Sequence, residues 1–230
     1  MADERVIWIT GASAGIGAAT ARLAAASGWR LVLAARSLDK LTALADELGG
    51  PARAIAVECD VTSWSDQQAA LTVALEHFGR LDAAWANAGF GGERSFLGGT
   101  PEHWRDMVLT NVYGAALTIR AALPALKESR GHLLLTGSVA GRRPITGSLY
   151  SATKHAVHAM AESVRQELDG TGVRVTVIAP GITDTAFFAK TPLDEPLHVD
   201  DIARAVLYAL DQPPHVDINE ILVRPTAQEL

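Results

Sequence analysis

The chain has 230 residues, of which 48% are hydrophobic, and its formal net charge at pH 7 is −6. Because a parallel α/β sheet of this length is routinely one domain, we expect residues 1–230 to form a single domain around one large core. The acidic balance argues against a nucleic-acid partner, and no apolar segment approaches the roughly 18 residues that span a membrane. The acidic N-terminus is unlike a signal peptide, so we expect a cytoplasmic protein.

Short apolar runs alternate with helix-forming segments along the chain. Several of these runs are almost continuously apolar, as strands buried on both faces are. The alternation predicts an α/β fold: a single-domain Rossmann fold with a doubly wound, seven-stranded parallel sheet and helices on both faces. Strands are predicted near residues 5–10, 30–35, 52–58, 81–87, 131–137, 172–179 and 219–224, and helices near 16–27, 38–48, 64–78, 101–128, 149–169 and 199–211.

A glycine-rich turn separates the first strand from the first helix. Gly11, Gly15 and Gly17 follow the apolar run 5–10, and a strong helix former begins at Ala18. Strand, glycine turn and helix form the context of a dinucleotide site, where the helix N-terminus offers free N–H groups to the pyrophosphate. The spacing G-x-x-x-G-x-G differs from the usual G-x-G-x-x-G. A tight turn without a ligand is the alternative.

The end of the second strand bears on which nicotinamide cofactor binds. NAD enzymes usually place an acid there to hold the ribose 2′-hydroxyl, whereas this chain has Ala35 followed by Arg36. The planar guanidinium of Arg36 can bind a 2′-phosphate, and the hydroxyl of Ser13 can add a donor. The pattern favours NADP over NAD. A solvated charge before the next helix is the alternative for Arg36.

Tyr150 and Lys154 lie four residues apart, shortly after Ser138. This spacing places both side chains on one face of a helix, where an ammonium lowers the pKa of a phenol from its usual value of about 10. Such a tyrosine can protonate a carbonyl oxygen or deprotonate an alcohol. Alone the pair is a weak signal, because a packed tyrosine beside a solvent-reaching lysine has the same spacing.

Taken in order, these motifs resemble the short-chain dehydrogenase/reductase family over nearly the whole chain. The resemblance implies an NADP(H)-dependent oxidoreductase that interconverts a carbonyl and an alcohol by hydride transfer, with Tyr150 as general acid/base. Ser138 would orient the carbonyl, Lys154 would also hold the nicotinamide ribose, and Asn111 would anchor a water linked to Lys154. The matching segments are Thr10–Gly17, Asn87–Gly89, Asn111, Ser138, Tyr150, Lys154 and Pro180–Gly181.

A set of cofactor contacts is implied at the turns that follow the strands. Asp60 and Val61 resemble the family's adenine-contacting pair, although Asp60 can also cap the next helix, a role that Thr62 or Ser63 suits equally well. Thr183 stands where the family often has an aliphatic residue. The expected cofactor-binding residues are Gly11, Ser13, Gly15, Ile16, Gly17, Arg36, Asp60, Val61, Asn87, Ala88, Gly89, Tyr150, Lys154, Pro180, Gly181, Ile182 and Thr185.

The substrate side is less defined by the sequence. The interval from Ser138 to Tyr150 is about one residue shorter than is usual in the family, which indicates a changed loop at 142–147. Arg142 and Arg143 in that loop can bind an anionic substrate or remain solvated. Phe187 and Phe188 can form an apolar lid or cover the core. The ending resembles a subgroup that includes 3-hydroxy acid and serine-type dehydrogenases, and a small hydroxy acid and a medium ketone or aldehyde both remain open.

The partners expected are a small-molecule carbonyl or alcohol and further copies of this chain. Relatives pair through the helices predicted near 101–128 and 149–169, so we expect a tetramer or dimer with His155 and His158 near the contact. These histidines and Glu162 have helical spacing that could suit a metal, but ligands must converge, and no metal is predicted. An NADPH-binding regulatory protein without turnover is the alternative function, and it would need none of the four catalytic residues.

Overall fold

The computed structural model describes residues 4–187 and 191–228. Within these ranges the strands are β1 Val6–Thr10, β2 Arg30–Ala35, β3 Ala54–Glu58, β4 Ala83–Ala86, β5 His132–Thr136, β6 Arg174–Pro180 and β7 Glu220–Val223. The α-helices are α1 Gly15–Ala26, α2 Leu38–Glu47, α3 Trp64–Phe78, α4 Pro101–Val108, α5 Ala115–Ser129, α6 Leu149–Glu167 and α7 Val199–Leu210. The predicted alternation is confirmed, with ends shifted by a few residues.

The described strands form one parallel sheet in the order β3-β2-β1-β4-β5-β6-β7. Strand β1 lies at its centre, where Trp8 pairs with Val32 of β2 on one side and with Ala84 of β4 on the other. After β1 the chain builds the sheet outward through β2 and β3, then crosses to β4 and builds the other half. This reversal opens a crevice at the carboxyl ends of β1 and β4, the place where doubly wound sheets bind ligands.

Side chains of β1 alternate between two apolar layers, which explains why the whole strand is buried. Val6 and Trp8 pack in the layer formed with α3, α5 and α6. Ile7 and Ile9 pack in the opposite layer, formed with α1, α2 and α7. Because helices cover both faces, no position of this strand faces solvent, and its sequence is apolar from Val6 to Ile9.

The segment predicted as one helix at 101–128 is interrupted, which corrects the sequence interpretation. After α4 the backbone forms a π-helical segment, Leu109–Gly114, before α5 begins. Such an insertion shifts the side chains that follow it relative to a regular helix, and it is common at functional sites. Tight packing accompanies it here, because a Cβ on Gly114 would lie 2.8 Å from Cγ2 of Val61.

Cys59 is buried in the core, with an exposed fraction of 1%, and it is a free thiol. Burial raises the pKa of this thiol to about 12, which keeps it protonated at neutral pH. Of the helices in residues 4–187 and 191–228, none has the length and apolar character needed to cross a bilayer.

Candidate active site

A cavity of about 1210 Å³ opens at the carboxyl end of the sheet, where the turns after β1, β4, β5 and β6 meet. The sequence-predicted site residues are separated by up to about 170 positions along the chain, and the fold brings most of them to this one cavity. The predicted residues that line it are Gly11, Ser13, Gly15, Ile16, Gly17, Asn87, Ala88, Gly89, Ser138, Tyr150, Lys154, Pro180, Gly181, Ile182 and Thr185.

The glycine turn after β1 forms one wall of the cavity, and its geometry requires glycine. Gly11 has a φ of 67°, in the left-handed region. A Cβ on Gly17 would lie 2.3 Å from the carbonyl oxygen of Gly11, so a side chain cannot fit there. Helix α1 begins at Gly15, and Ala14 before it supplies no side-chain cap. The uncapped N–H groups and the positive end of the helix dipole suit a pyrophosphate.

The side chain of Asn87 links this turn to the neighbouring strands, and both of its amide hydrogens are used in hydrogen bonds. Its Nδ2 donates to the carbonyl oxygens of Thr10 at 3.0 Å and Gly11 at 3.3 Å. Its Oδ1 accepts from the hydroxyl of Thr136 at 3.1 Å. One side chain thus links the ends of β1, β4 and β5, so its contribution to the cavity is the shape of the backbone around it.

Ser138 and Tyr150 meet on the side of the cavity that follows β5. Ser138 begins the short 3₁₀ turn Val139–Gly141, and its Oγ accepts from the N–H of Ala140 at 3.1 Å. Tyr150 lies in the first turn of α6, which Ser148 caps through the N–H of Ser151. The Ser138 hydroxyl is near enough to the Tyr150 phenol to oppose the rise of its pKa, and both residues line the cavity. The shortened loop between them therefore does not separate the pair.

Lys154 lies one helical turn beyond Tyr150 and is buried, with an exposed fraction of 4%. Its Nζ donates to the carbonyl oxygen of Thr136 at 2.7 Å and lies 5.6 Å from the centre of the Tyr150 ring. The predicted shared helix face is confirmed by this geometry. Thr136 supplies a backbone oxygen, a contact that the side-chain pattern of the sequence does not reveal.

The protonation balance of this pair differs from the simple expectation that the ammonium lowers the tyrosine pKa. Burial raises the pKa of Tyr150 to about 12, and the Ser138 hydroxyl opposes that rise. Burial also lowers the pKa of Lys154 to about 8. Desolvation disfavours the charged form of each group, which accounts for both directions. At neutral pH Tyr150 is therefore protonated and is a proton donor.

Asn111 lies in the π-helical segment and is buried behind the cavity wall. Its Oδ1 accepts from the N–H of Phe90 at 3.0 Å, and its Nδ2 donates to the carbonyl oxygen of Phe90 at 2.9 Å and to Oγ1 of Thr153 at 3.1 Å. A Cβ on Gly89 would lie 3.0 Å from Asn111 Oδ1 and 3.6 Å from Lys154 Nζ. Asn111 thus anchors the turn after β4 directly beside the lysine.

Arg36, Asp60 and Val61 lie outside the lining of this cavity. Arg36 is exposed immediately after β2, next to the glycine turn, whose Ala12 N–H donates to the Ala34 carbonyl at 3.2 Å. Asp60 accepts from the N–H and hydroxyl of Thr62, at 2.9 and 2.8 Å, in a turn before α3. Ser63, not Asp60, caps α3.

Phe187 covers the cavity rather than the core. Its ring packs edge-on against Tyr150 with centroids 5.3 Å apart, and a Cβ on Gly91 would lie 2.3 Å from its Cζ. The ring therefore reaches across the crevice from the segment after β6 to the turn after β4, and of the two alternatives this placement favours a lid. Phe188 lies outside the described residues.

Sequence reasoning missed several residues that line the cavity. Gln228 is one of them: its Oε1 accepts from the N–H of Ile182 at 2.8 Å. The C-terminal segment therefore closes over the turn after β6. Phe90 and Arg94 are two more, in the segment after β4. The sequence signal that could have found them is the group of glycines at 89, 91 and 92, because glycines let the backbone of this segment come close to a ligand.

His158 lies in the interior of this chain. Its exposed fraction is 8%, and a Cβ on Gly141 would lie 2.6 Å from its Cδ2. It packs beneath the turn that carries Ser138 and is buried within this chain, and its predicted nearness to a subunit contact stays a prediction. His155, on the same helix, donates through Nδ1–H to the carbonyl oxygen of Ser151 at 2.8 Å. Among the described residues, no group of three potential ligands is arranged to hold a metal ion.

Comparison with known proteins defines the class to which this fold and site belong. The short chain dehydrogenase family matches residues 5–196. An uncharacterized oxidoreductase of Staphylococcus epidermidis is 39% identical over 226 residues, which are 96% of this chain and 97% of that protein. The chain belongs to the short-chain dehydrogenase family of oxidoreductases.

Two solved structures show how closely the backbone follows this family. An alcohol dehydrogenase from the archaeon Thermococcus sibiricus, complexed with 5-hydroxy-NADP, superposes with a TM-score of 0.90 and 33% identity over 99% of both chains. Serine dehydrogenase from Escherichia coli superposes with a TM-score of 0.89 and 30% identity over 98% of this chain and 100% of that chain. The family therefore accounts for the whole described fold.

Proposed function

We propose that this protein is an NADP(H)-dependent oxidoreductase that interconverts a carbonyl and an alcohol, with Tyr150 as the general acid/base. The observation that carries the proposal is the convergence of Ser138, Tyr150 and Lys154 on one cavity that the glycine turn also lines. A regulatory protein that only binds the dinucleotide would need the turn but not a serine, a tyrosine and a buried lysine on the same cavity.

The cavity fits a dinucleotide on the evidence of its own backbone. The absence of side-chain volume at Gly11 and Gly17 and the uncapped start of α1 would admit the pyrophosphate. Lys154 would hold the nicotinamide ribose, and Arg36 would bind the 2′-phosphate where an NAD enzyme carries an acid. When bound, the cofactor supplies the hydride. The NADP derivative named with the Thermococcus structure supports the choice of NADP.

The proton is handled by residues of this chain. In the reducing direction the C=O π bond breaks, a C–H bond forms at carbon, and Tyr150 delivers its proton to the developing alkoxide. Ser138 orients the carbonyl by a hydrogen bond. A phenol pKa of about 12 keeps Tyr150 protonated at neutral pH, which is the form that reduction of a carbonyl needs. Oxidation of an alcohol needs the phenolate and should gain from higher pH.

The test of this proposal is Tyr150→Phe, which removes the hydroxyl and keeps the ring. We expect NADPH binding to stay close to that of the unaltered protein and turnover of the best carbonyl substrate to fall at least ~10²-fold. Tyr208→Phe, at an exposed tyrosine on α7, is the matched control and should be fully active. Full activity of Tyr150→Phe would refute the mechanism. NADPH binding without reduction of any carbonyl in a broad panel would favour the regulatory alternative.

Location and assembly are part of the same proposal. We expect the protein to be cytoplasmic. We also expect it to form a homo-oligomer, either a tetramer or a dimer. Val108, Leu109 and Tyr113 lie at the end of α4 and in the π-helical segment and are exposed, which supports a subunit contact on this side. Light scattering at micromolar concentration tests it, and a monomer would contradict it.

A further inference from the structure

The charge that lines the cavity differs in sign from the charge of the whole chain. The chain carries a formal net charge of −6. Among the described residues that line the cavity, the charged side chains are Arg94, Arg143 and Lys154, and none is Asp or Glu. Lys154 has a role in the proposed chemistry. Arg94 and Arg143 have no role in that chemistry, so their position on the cavity needs a separate explanation.

Arg94 and Arg143 come from different loops that touch each other. Arg94 follows β4, and Arg143 follows the 3₁₀ turn after β5. A Cβ on Gly147 would lie 3.2 Å from the carbonyl oxygen of Arg94, so the backbone of the first loop lies against the second. Phe90 and Ile145 line the same cavity. Both arginines are exposed, and they line the cavity that also contains Ser138 and Tyr150.

The side chain of neither arginine forms an ion pair or a hydrogen bond with another described residue, although the backbone N–H of Arg143 donates to the Val139 carbonyl at 3.0 Å. One carboxylate close to this pair is bound to a different arginine, and another lies against its own loop. Glu220 pairs with Arg142, the immediate neighbour of Arg143. Glu93, the immediate neighbour of Arg94, lies against its own loop, where a Cβ on Gly98 would be 2.6 Å from its Oε1. The pairs of other arginines include Arg5 with Asp211, Arg22 with Glu47 and Arg204 with Asp201.

We infer that Arg94 and Arg143 bind a carboxylate on the carbonyl substrate, so that the preferred substrates are oxo acids and the matching hydroxy acids. The inference rests on the proposed oxidoreductase function and names its substrate class. Guanidinium groups suit a carboxylate because their planar fork donates two parallel hydrogen bonds. The cofactor phosphates would instead be bound by the glycine turn and by Arg36, which lies outside the lining of the cavity. Arg142, bound to Glu220, holds the loop and takes no part in recognition.

The experiment compares acetoacetate and levulinate with their methyl esters, which differ from them in charge. We expect the unaltered enzyme to prefer the acids to the esters. In the double variant Arg94→Gln, Arg143→Gln, kcat/KM for the acids should fall about tenfold or more, because charge-assisted hydrogen bonds to the carboxylate are lost. The kcat/KM for the esters should change little. The control is Arg53→Gln. This arginine precedes β3 at the opposite end of the sheet, and its side chain also has no ion-pair or hydrogen-bond partner among the described residues. It should leave the acid-to-ester ratio unchanged.

Calorimetric titration of the NADPH complex with levulinate separates this inference from the proposed function. Weaker levulinate binding in the double variant, with an unchanged Kd for NADPH, supports the inference even if no turnover is found. Equal levulinate binding or an equal acid-to-ester ratio in the double variant and the unaltered protein would overturn it. Loss of NADPH affinity in the double variant would also overturn it, because the arginines would then serve the cofactor.

Discussion

His132 makes the stability of this protein sensitive to mild acid. It is the first residue of β5 and is buried, and its Nε2 lies 2.7 Å from Oγ1 of Thr176. The Thr176 hydroxyl donates to the carbonyl oxygen of Ile218 at 2.5 Å, so it accepts from a protonated Nε2. The other ring nitrogen, Nδ1, has no hydrogen-bond partner among the described residues. Protonating Nδ1 would therefore place an unpaired cation in the core.

The magnitude follows from the imidazole pKa. Burial, with a smaller effect of the Arg174 charge, lowers the pKa of His132 from 6.5 to about 3. Between these values the unfolded chain binds more protons than the folded one, so stability is fully present above about pH 6.5 and is lost as pH falls towards 3. From pH 7 to pH 5 the expected loss from this one residue is about 2 kcal/mol.

The assay is urea unfolding at pH 7 and pH 5 of the unaltered protein and of His132→Gln. Glutamine keeps an N–H donor for Thr176 but does not titrate, and the effects of other acidic and basic groups cancel between the two proteins. The free energy of unfolding should fall by about 2 kcal/mol more in the unaltered protein than in the variant. The same fall in both proteins would refute the reasoning, whatever the variant's own stability at pH 7.

The cofactor turn yields two further predictions. Arg36→Ala should reduce the preference for NADPH over NADH by one to two orders of magnitude, since a charge-assisted hydrogen bond contributes ~1.5–3 kcal/mol. Titration with both cofactors measures this preference. Equal losses of affinity for the two cofactors would show that Arg36 does not contact the phosphate. Gly17→Ala should abolish measurable NADPH binding and lower the unfolding midpoint, because its Cβ would overlap the Gly11 carbonyl at 2.3 Å. Gly28→Ala is the control for binding alone: its φ of 89° strains the alanine and should lower the unfolding midpoint, but no heavy atom lies within 4 Å of the added Cβ and NADPH should bind normally.

Local pattern was sufficient for the fold and for much of the site. Continuous apolar runs between helix-forming segments predict a parallel sheet covered on both faces, and the glycine spacing after β1 predicts a turn that admits a phosphate. Tyr150 and Lys154 share a helix face because of the α-helical period alone. Each of these properties depends on residues within a few positions of one another, so it can be predicted directly from the sequence.

Properties that depend on distant partners required the tertiary structure. Arg142 and Arg143 are adjacent and chemically identical, yet only the fold brings Glu220 to Arg142 and leaves Arg143 on the cavity. The pKa of Tyr150 rises because the surrounding protein desolvates it, an effect that outweighs the short-range expectation from Lys154. Pairing and desolvation are set by groups far apart in the chain, and no local pattern records them.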